Sequence, residues 1–305
     1  MVDQNNFTAY FNGEWLPLGD IRLSPDDRGF VVADVVFDIA RTFAGRPFML
    51  DRNIDRLYRS LKYMRIDPGL SPDEMTSLCE EGVERNMAHL DEAGDFAINP
   101  FITRGVGHGI HGLTPTVCIM VKPVAFQSFA QFYVDGAHGV ITKTRSYSSD
   151  TMDPKVKHHS RANFVLAELE AEDVDPGASP ILLDQYGNLT EGIGYNVFLI
   201  KDGVIKTPTD RSILQGISRS VIFEVAEQLD IPVVEDDLQP YDIYTADEVF
   251  FSRTSPRIVP VSMVDKRPVG ESTPGPITQQ LLAAHSELVD VDIVGQALHH
   301  AGIQR

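Results

Sequence analysis

Four short segments carry the residue types that covalent chemistry and anion binding require. The first, Asp153-Pro154-Lys155-Val156-Lys157-His158-His159, sets two lysines behind a proline. A lysine amine is a nucleophile toward carbonyls and a general base once deprotonated, although an isolated lysine is ordinarily surface charge. The second, Leu189-Thr190-Glu191-Gly192-Ile193-Gly194-Tyr195-Asn196, precedes the apolar run Val197–Ile200. It holds a carboxylate between glycines that permit close approach to a flat ligand. The third, Leu214-Gln215-Gly216-Ile217-Ser218-Arg219, opens an amphipathic helix with a glycine, backbone N–H groups and a hydroxyl, the makings of an anion site. The plainer account makes Ser218 the N-cap of that helix; the two are compatible, because a capping turn also binds anions. The fourth, Phe251-Ser252-Arg253-Thr254-Ser255-Pro256, ends a strand with hydroxyls that can donate to a phosphate.

Two other chemistries fit poorly. His158 and His159 are adjacent and cannot easily share an ion, so no metal is expected. Gly105, Gly107, Gly109 and Gly112 miss the G-x-G-x-x-G spacing of a dinucleotide-binding turn.

The elements that must position these residues fall into two parts. Residues 1–122 read as a hairpin over Phe7–Leu16 about Asn12-Gly13, a β-rich run Val31–Phe43, helices over Asp51–Lys62 and Pro72–Leu90, and strands Phe96–Thr103 and Val117–Val121. Periodicity lapses over 123–131, a linker. Residues 132–305 read as strands Phe132–Val134 and Gly139–Thr144, a helix Asn163–Glu172, and a hairpin joining Pro180–Asp184 to Gly194–Lys201. A helix Ser218–Leu229 and a strand Glu248–Ser252 follow. This is an α+β chain of two domains, with a cleft expected between them as the usual cofactor position.

Bulk properties narrow the partners. The chain has 305 residues, 26 Lys+Arg against 44 Asp+Glu, and a net charge of −18. That excess argues against nucleic acid and leaves any phosphate site to be built locally; otherwise it reads as a solvated acidic surface. No apolar run is long enough for a membrane span, and the N-terminus lacks the pattern of a secretory signal. Two cysteines are too few for a disulfide framework, and the cytoplasm is the expected compartment.

In combination the segments resemble the class IV, fold-type IV pyridoxal-phosphate enzymes. This group includes branched-chain aminotransferases, D-amino-acid aminotransferases, (R)-selective amine transaminases and aminodeoxychorismate lyase. The resemblance runs from about Tyr10 to Leu282. It takes in Asp27-Arg28-Gly29-Phe30, Val36-Phe37-Asp38, Pro47-Phe48-Met49-Leu50, Asn53-Ile54-Asp55-Arg56-Leu57, Ile102-Thr103-Arg104-Gly105 and Gly275-Pro276-Ile277-Thr278. The Asp-Pro-x-Val-Lys and Gly-Pro-Ile-Thr spellings look most like the (R)-amine transaminases. The resemblance implies a D-amino-acid-aminotransferase-like fold, with a small N-terminal domain and a larger C-terminal domain that binds pyridoxal 5'-phosphate. It implies a homodimer in which each active site borrows residues from the partner.

It also implies roles. Lys157, rather than Lys155, would attach to the cofactor aldehyde and act as general acid and base. Glu191 would hold the pyridine nitrogen protonated. Arg56, Ile217, Ser218 and Thr254 would bind the phosphate, and Phe37 and Ser255 would lie on the substrate side. The chain departs from the pattern at Val106–Gly112, where no arginine stands to bind a keto-acid carboxylate. His111 matches a histidine of that loop in D-amino-acid aminotransferases. The missing cation is expected to be Arg161, read as one helical turn beyond Lys157, with Arg253 as runner-up and Arg257 nearby. The expected activity is ping-pong transfer of an amino group from an (R)-amine or D-amino acid to a keto acid such as pyruvate. The alternatives are a branched-chain L-amino-acid aminotransferase, a lyase of the aminodeoxychorismate type, and a non-enzymatic cofactor-binding homologue.

Overall fold

The computed structural model describes Asp3 to Gln304. These residues cluster into two compact units. One runs to Val124 and also takes Val156–Ser160; the other holds Ala125–Lys155 and continues from Arg161.

In the first unit, β1 (Thr8–Phe11) and β2 (Glu14–Pro17) form a hairpin about Asn12-Gly13. Next come α1 (Arg28–Val32), β3 (Val35–Phe37), β4 (Ala40–Phe43), β5 (Arg46–Phe48) and α2 (Leu50–Met64). The unit continues with α3 (Pro72–Asn86), α4 (Leu90–Ala93), β6 (Phe96–Thr103) and β7 (Val117–Pro123). The strands make one sheet in the order β2-β1-β7-β6-β4-β5, with β3 also on β6. Helix α2 buries Leu50, Ile54, Leu57 and Leu61, an i, i+4, i+7, i+11 stripe, in a core shared with Met75, Cys79 and Val83 of α3 and Phe96, Ile98 and Ile119 of the sheet. Helix α3 starts cleanly because Ser71 and Glu74 form a capping box ahead of Pro72.

Two expectations change here. The β-rich run Val31–Phe43 is broken at its start by α1, because Asp27 caps that helix by accepting from Gly29 N at 2.7 Å. The long helix expected over Pro72–Leu90 stops at Asn86. Its side-chain amide bonds both backbone groups of Thr8, each at 2.8 Å, and a 3-10 turn follows.

The second unit opens with α5 (Phe132–Asp135), β8 (Ala137–Arg145), α6 (Ala162–Val174), β9 (Ser179–Leu183), β10 (Glu191–Gly192), β11 (Tyr195–Lys201) and β12 (Val204–Pro208). It goes on through α7 (Ile217–Gln228), β13 (Val233–Asp236), α8 (Pro240–Tyr244), β14 (Glu248–Arg253), β15 (Arg257–Val264), β16 (Arg267–Pro268), α9 (Pro276–Val289) and α10 (Ile293–Ala301). The sheet order is β13-β12-β11-β14-β15-β8-β9, with β10 on β11 and β16 on β15.

The expected strand Phe132–Val134 is instead the short helix α5, closed where Gly136 N donates to Phe132 O. The hairpin expected between Pro180–Asp184 and Gly194–Lys201 does not form. Thr190 gives both its backbone N–H and its hydroxyl to Leu182 O, and β9 pairs in parallel with β8. The hairpin partner of β11 is β10, across the two-residue turn Ile193-Gly194, where Gly194 adopts φ +80°. No helix among the described residues is long and apolar enough to cross a membrane.

Candidate active site

The first unit carries the lysine. The stretch around Lys157 lies along β3. Phe37 N donates to Lys157 O at 3.1 Å, His158 bridges Val36, and His159 N donates to Val35 O at 3.3 Å. Lys157 N donates to Ser60 Oγ of α2 at 3.2 Å, so the backbone is fixed from two sides. The side chain is only 7% exposed, with Nζ 4.7 Å from the centre of the Phe37 ring. Lys155 differs: it is half-exposed and pairs with Asp153 at 3.7 Å.

Directly after Phe37, the fully buried Asp38 gathers the local charge. Arg56 of α2 donates to it from Nε at 2.9 Å and Nη2 at 2.7 Å, and Asn53 Nδ2 adds a bond at 2.8 Å. Burial alone would raise the Asp38 carboxyl. The Arg56 guanidinium, the Lys157 ammonium and the Asn53 amide outweigh it and hold the group below the usual carboxylate range. Two of the five Arg56 donors are thereby directed at Asp38.

The second unit carries an anion cradle. Glu191 is buried on β10, and its Oε2 accepts from Asn196 Nδ2 at 3.1 Å and Leu214 N at 3.0 Å. Asn196 also donates to Leu214 O at 3.0 Å, which ties the strand pair to the turn ahead of α7. That turn needs Gly216: a Cβ there would lie 2.2 Å from Asn196 Oδ1. Gly216, not Ser218, is the N-cap of α7, and it makes no side-chain capping bond. Ser218 stands in the first turn, where its Oγ accepts from Arg257 Nη1 at 3.1 Å.

Arg257 Nη1 also approaches Thr254 O at 3.4 Å, joining the β14–β15 loop to the start of α7. Ser252 pairs with Asn196 across β14 and β11, so their side chains share a sheet face. Its buried Oγ has no hydrogen-bond partner. The helix α9 shows the contrast: the Glu248 carboxylate already accepts from Ile277 N at 2.9 Å, Thr278 N at 2.8 Å and Thr278 Oγ1 at 2.7 Å. A helix start without a side-chain cap, a turn with no room for a Cβ and an orphaned hydroxyl fit an anionic group such as a cofactor phosphate.

The remaining sequence candidates are placed as follows. Phe37 flanks Lys157. His111 is exposed in the loop 106–112, and Ser255 lies between β14 and β15. Arg161 is not one helical turn beyond Lys157, because residues 157–160 are not helical and α6 begins at Ala162 with Arg161 as its N-cap residue. Its guanidinium lies 5.2 Å over the Phe164 ring. Arg253 pairs with Tyr195 and stacks 5.5 Å over that ring, which puts it on the sheet face opposite Asn196 and Ser252. The runner-up carboxylate cation therefore faces away from the cradle. Sequence reasoning gave no role to Asp38, Asn196 or the Arg257–Ser218 bond, and took Ser252 only as one of the hydroxyls of its segment. Asn196 could have been found: a two-residue turn at Ile193-Gly194 necessarily pairs position 191 with 196.

The sequence pattern of the amino-transferase class IV family matches residues 35–264. A putative branched-chain-amino-acid aminotransferase of Methanocaldococcus jannaschii is 36% identical over 89% of this chain and 93% of its own length. A D-alanine aminotransferase of Staphylococcus haemolyticus is 29% identical over 92% and 98%. Among solved structures, a T.th. branched-chain amino acid aminotransferase complexed with N-(5'-phosphopyridoxyl)-L-glutamate superimposes with a TM-score of 0.80 at 26% identity, covering 98% of each chain. The Escherichia coli branched-chain amino acid aminotransferase gives 0.78 at 28% identity, covering 93% and 94%.

Proposed function

The chain belongs to the class IV aminotransferase family, and from that membership we propose that it moves an amino group from an (R)-amine or a D-amino acid to a keto acid such as pyruvate. As a member it is a pyridoxal-phosphate-dependent transaminase of fold-type IV. The observation that carries the site assignment is the burial of Lys157 between the Phe37 ring and the Asp38–Arg56 pair, where Lys155 is half-exposed.

Bound pyridoxal phosphate supplies an aldehyde that captures an amine and a ring that accepts the electron pair released at the donor Cα. Lys157 Nζ would hold that aldehyde between turnovers, take the proton from the donor Cα and return it. Glu191, fixed by Asn196 and Leu214, would keep the pyridine nitrogen protonated. Arg56, the Ile217 and Ser218 backbone N–H groups and the Ser218 and Thr254 hydroxyls would hold the phosphate. Phe37 and Ser255 would border the substrate. The keto-acid carboxylate needs a cation, and Arg161 is the proposed one.

A second reading, a branched-chain L-amino-acid donor, is favoured by the 36% identity to the Methanocaldococcus jannaschii protein. A panel of D-amino acids, (R)-amines and branched-chain L-amino acids separates the two, scored by bleaching of the holoenzyme's visible band without added acceptor. Bleaching only by the branched-chain set would defeat the first reading. Pyruvate released in one step, with no band lost, would indicate a lyase.

We further propose a homodimer in the cytoplasm. Within the first unit, α1 exposes Phe30 (76%), Val31 (60%) and Val32 (54%), and the loop beside it exposes Val106 and Ile110. Asp27 bridges Val106, which brings the start of α1 beside that loop, and exposed apolar side chains on neighbouring segments are of the kind a partner subunit covers. His111 in that loop would be lent to the partner's site.

A further inference from the structure

Arg257 begins β15 immediately after the three-residue loop Thr254–Pro256, opposite Arg253. It adopts φ +62°, the left-handed conformation that closes a three-residue hairpin loop. Glycine takes that conformation freely, whereas an arginine is strained in it, so its side chain has to serve some purpose. That side chain is 2% exposed and donates to Ser218 Oγ at 3.1 Å.

Two consequences follow from this bond. Ser218 Oγ accepts from the guanidinium, so its own proton is turned toward another acceptor. The buried cation also stands beside the positive end of α7, a twelve-residue helix. Like charges held together away from water repel until an anion lies between them. An independent observation points to the same place. Ser252 Oγ is buried without a hydrogen-bond partner, on the sheet face whose neighbour Asn196 reaches the turn ahead of α7. Behind Arg257, His285 of α9 is wholly buried, with Nδ1 against Leu281 O at 3.0 Å. Burial first, and the Arg257 charge second, push its pKa down to about 3, so it adds no further cation.

We propose that Arg257 is a positioning residue for the cofactor phosphate, orienting the Ser218 hydroxyl as a donor and setting a buried positive charge beside the start of α7. The proposal rests on the reading of the chain as a pyridoxal-phosphate enzyme. It distinguishes the phosphate from the rest of the cofactor, and the test uses that distinction.

The wild-type holoenzyme and the Arg257→Met and Arg257→Lys variants are stripped of cofactor and titrated separately with pyridoxal 5'-phosphate and with pyridoxal, following the visible band. Arg257→Met is expected to raise the dissociation constant for pyridoxal 5'-phosphate about tenfold or more, ~1.4 kcal/mol. Pyridoxal binding should change less than about twofold, well under that margin. Arg257→Lys should recover part of the loss, because it restores charge without the planar fork. In a Ser218→Ala background the effect of Arg257→Met should shrink, since the two residues act through one bond.

Equal weakening of both cofactors would make Arg257 a framework residue and overturn the proposal, as would unchanged binding of both. If Arg257→Met does not fold, the same comparison made with Arg257→Lys and Ser218→Ala decides. Were the wild type to give no visible band with either cofactor, the enzyme reading itself would fall, which is a different result from a band that ignores Arg257.

Discussion

Lys155 and Lys157 are chemically identical and two residues apart, and in the sequence only the resemblance of the segment that follows ranked Lys157 first. Packing separates them: one leans on Asp153 at the surface and the other is buried against β3. Asp38 was legible only as part of a motif, because its partners Arg56 and Asn53 meet it through tertiary folding. Removing its charge is expected to be severe. Asp38→Asn leaves the buried Arg56 cation poorly compensated, at a cost of about 3–5 kcal/mol. Urea midpoints at pH 7 measure this, and a change below about 1 kcal/mol would mean the pair is not a buried charge pair of that kind. The sign of its pH dependence is fixed by the depressed carboxyl: the contribution is present above the usual Asp value of 3.8 and is lost as pH falls through the lower folded value. Glu191→Gln should keep the cofactor and lose about 10²-fold or more in turnover, the range for a preorganised electrostatic group. Near-normal turnover would refute its role at the ring nitrogen.

At the scale of elements, long periodic segments were readable and short interruptions were not. The stripe of α2 and the capping box of α3 are local patterns. The end of α3 at Asn86 depends on a bond to Thr8, and α5 replaces an apolar strand pattern with one helical turn closed by Gly136. Arg161 was misplaced for a different reason: the helix expected over Asn163–Glu172 already began beyond it, yet helical spacing was applied from Lys157 across residues that lie outside that helix.

The helices α7 and α9 both start at a glycine, yet one start is filled by the Glu248 carboxylate and the other has no side-chain cap. Helix α9 also gives a pH prediction. His285 stays neutral in the folded chain down to about pH 3, whereas the unfolded chain protonates it near ~6.5. Between those values the unfolded chain binds the extra proton. Stability is therefore full above ~6.5 and falls as pH drops, by at most ~1.4 kcal/mol per pH unit from this group. His285→Leu should flatten the decline in urea midpoint from pH 7 to pH 5; parallel curves for variant and wild type would contradict it.

For the whole molecule, the sequence indicated two α+β parts, and the contact pattern divides the chain after Val124. It did not indicate that Val156–Ser160 clusters with the first unit, because that assignment rests on pairing with β3 more than a hundred residues earlier. The dimer proposal belongs to this scale. Phe30→Glu combined with Ile110→Glu should convert the protein to a monomer in sedimentation, with unchanged circular dichroism and lost activity. An active monomer, or a dimer indifferent to both charges, would exclude this patch as the interface.

The central claim is a transaminase whose cofactor is held by Lys157. Its most direct test is to reduce the holoenzyme with borohydride, digest it, and locate the pyridoxyl group by peptide mass mapping. The label is expected on Lys157 alone, and prior treatment with an accepted amino donor should abolish it. Label on Lys155, label spread over surface lysines, or no label on protein that retains its visible band would contradict the account.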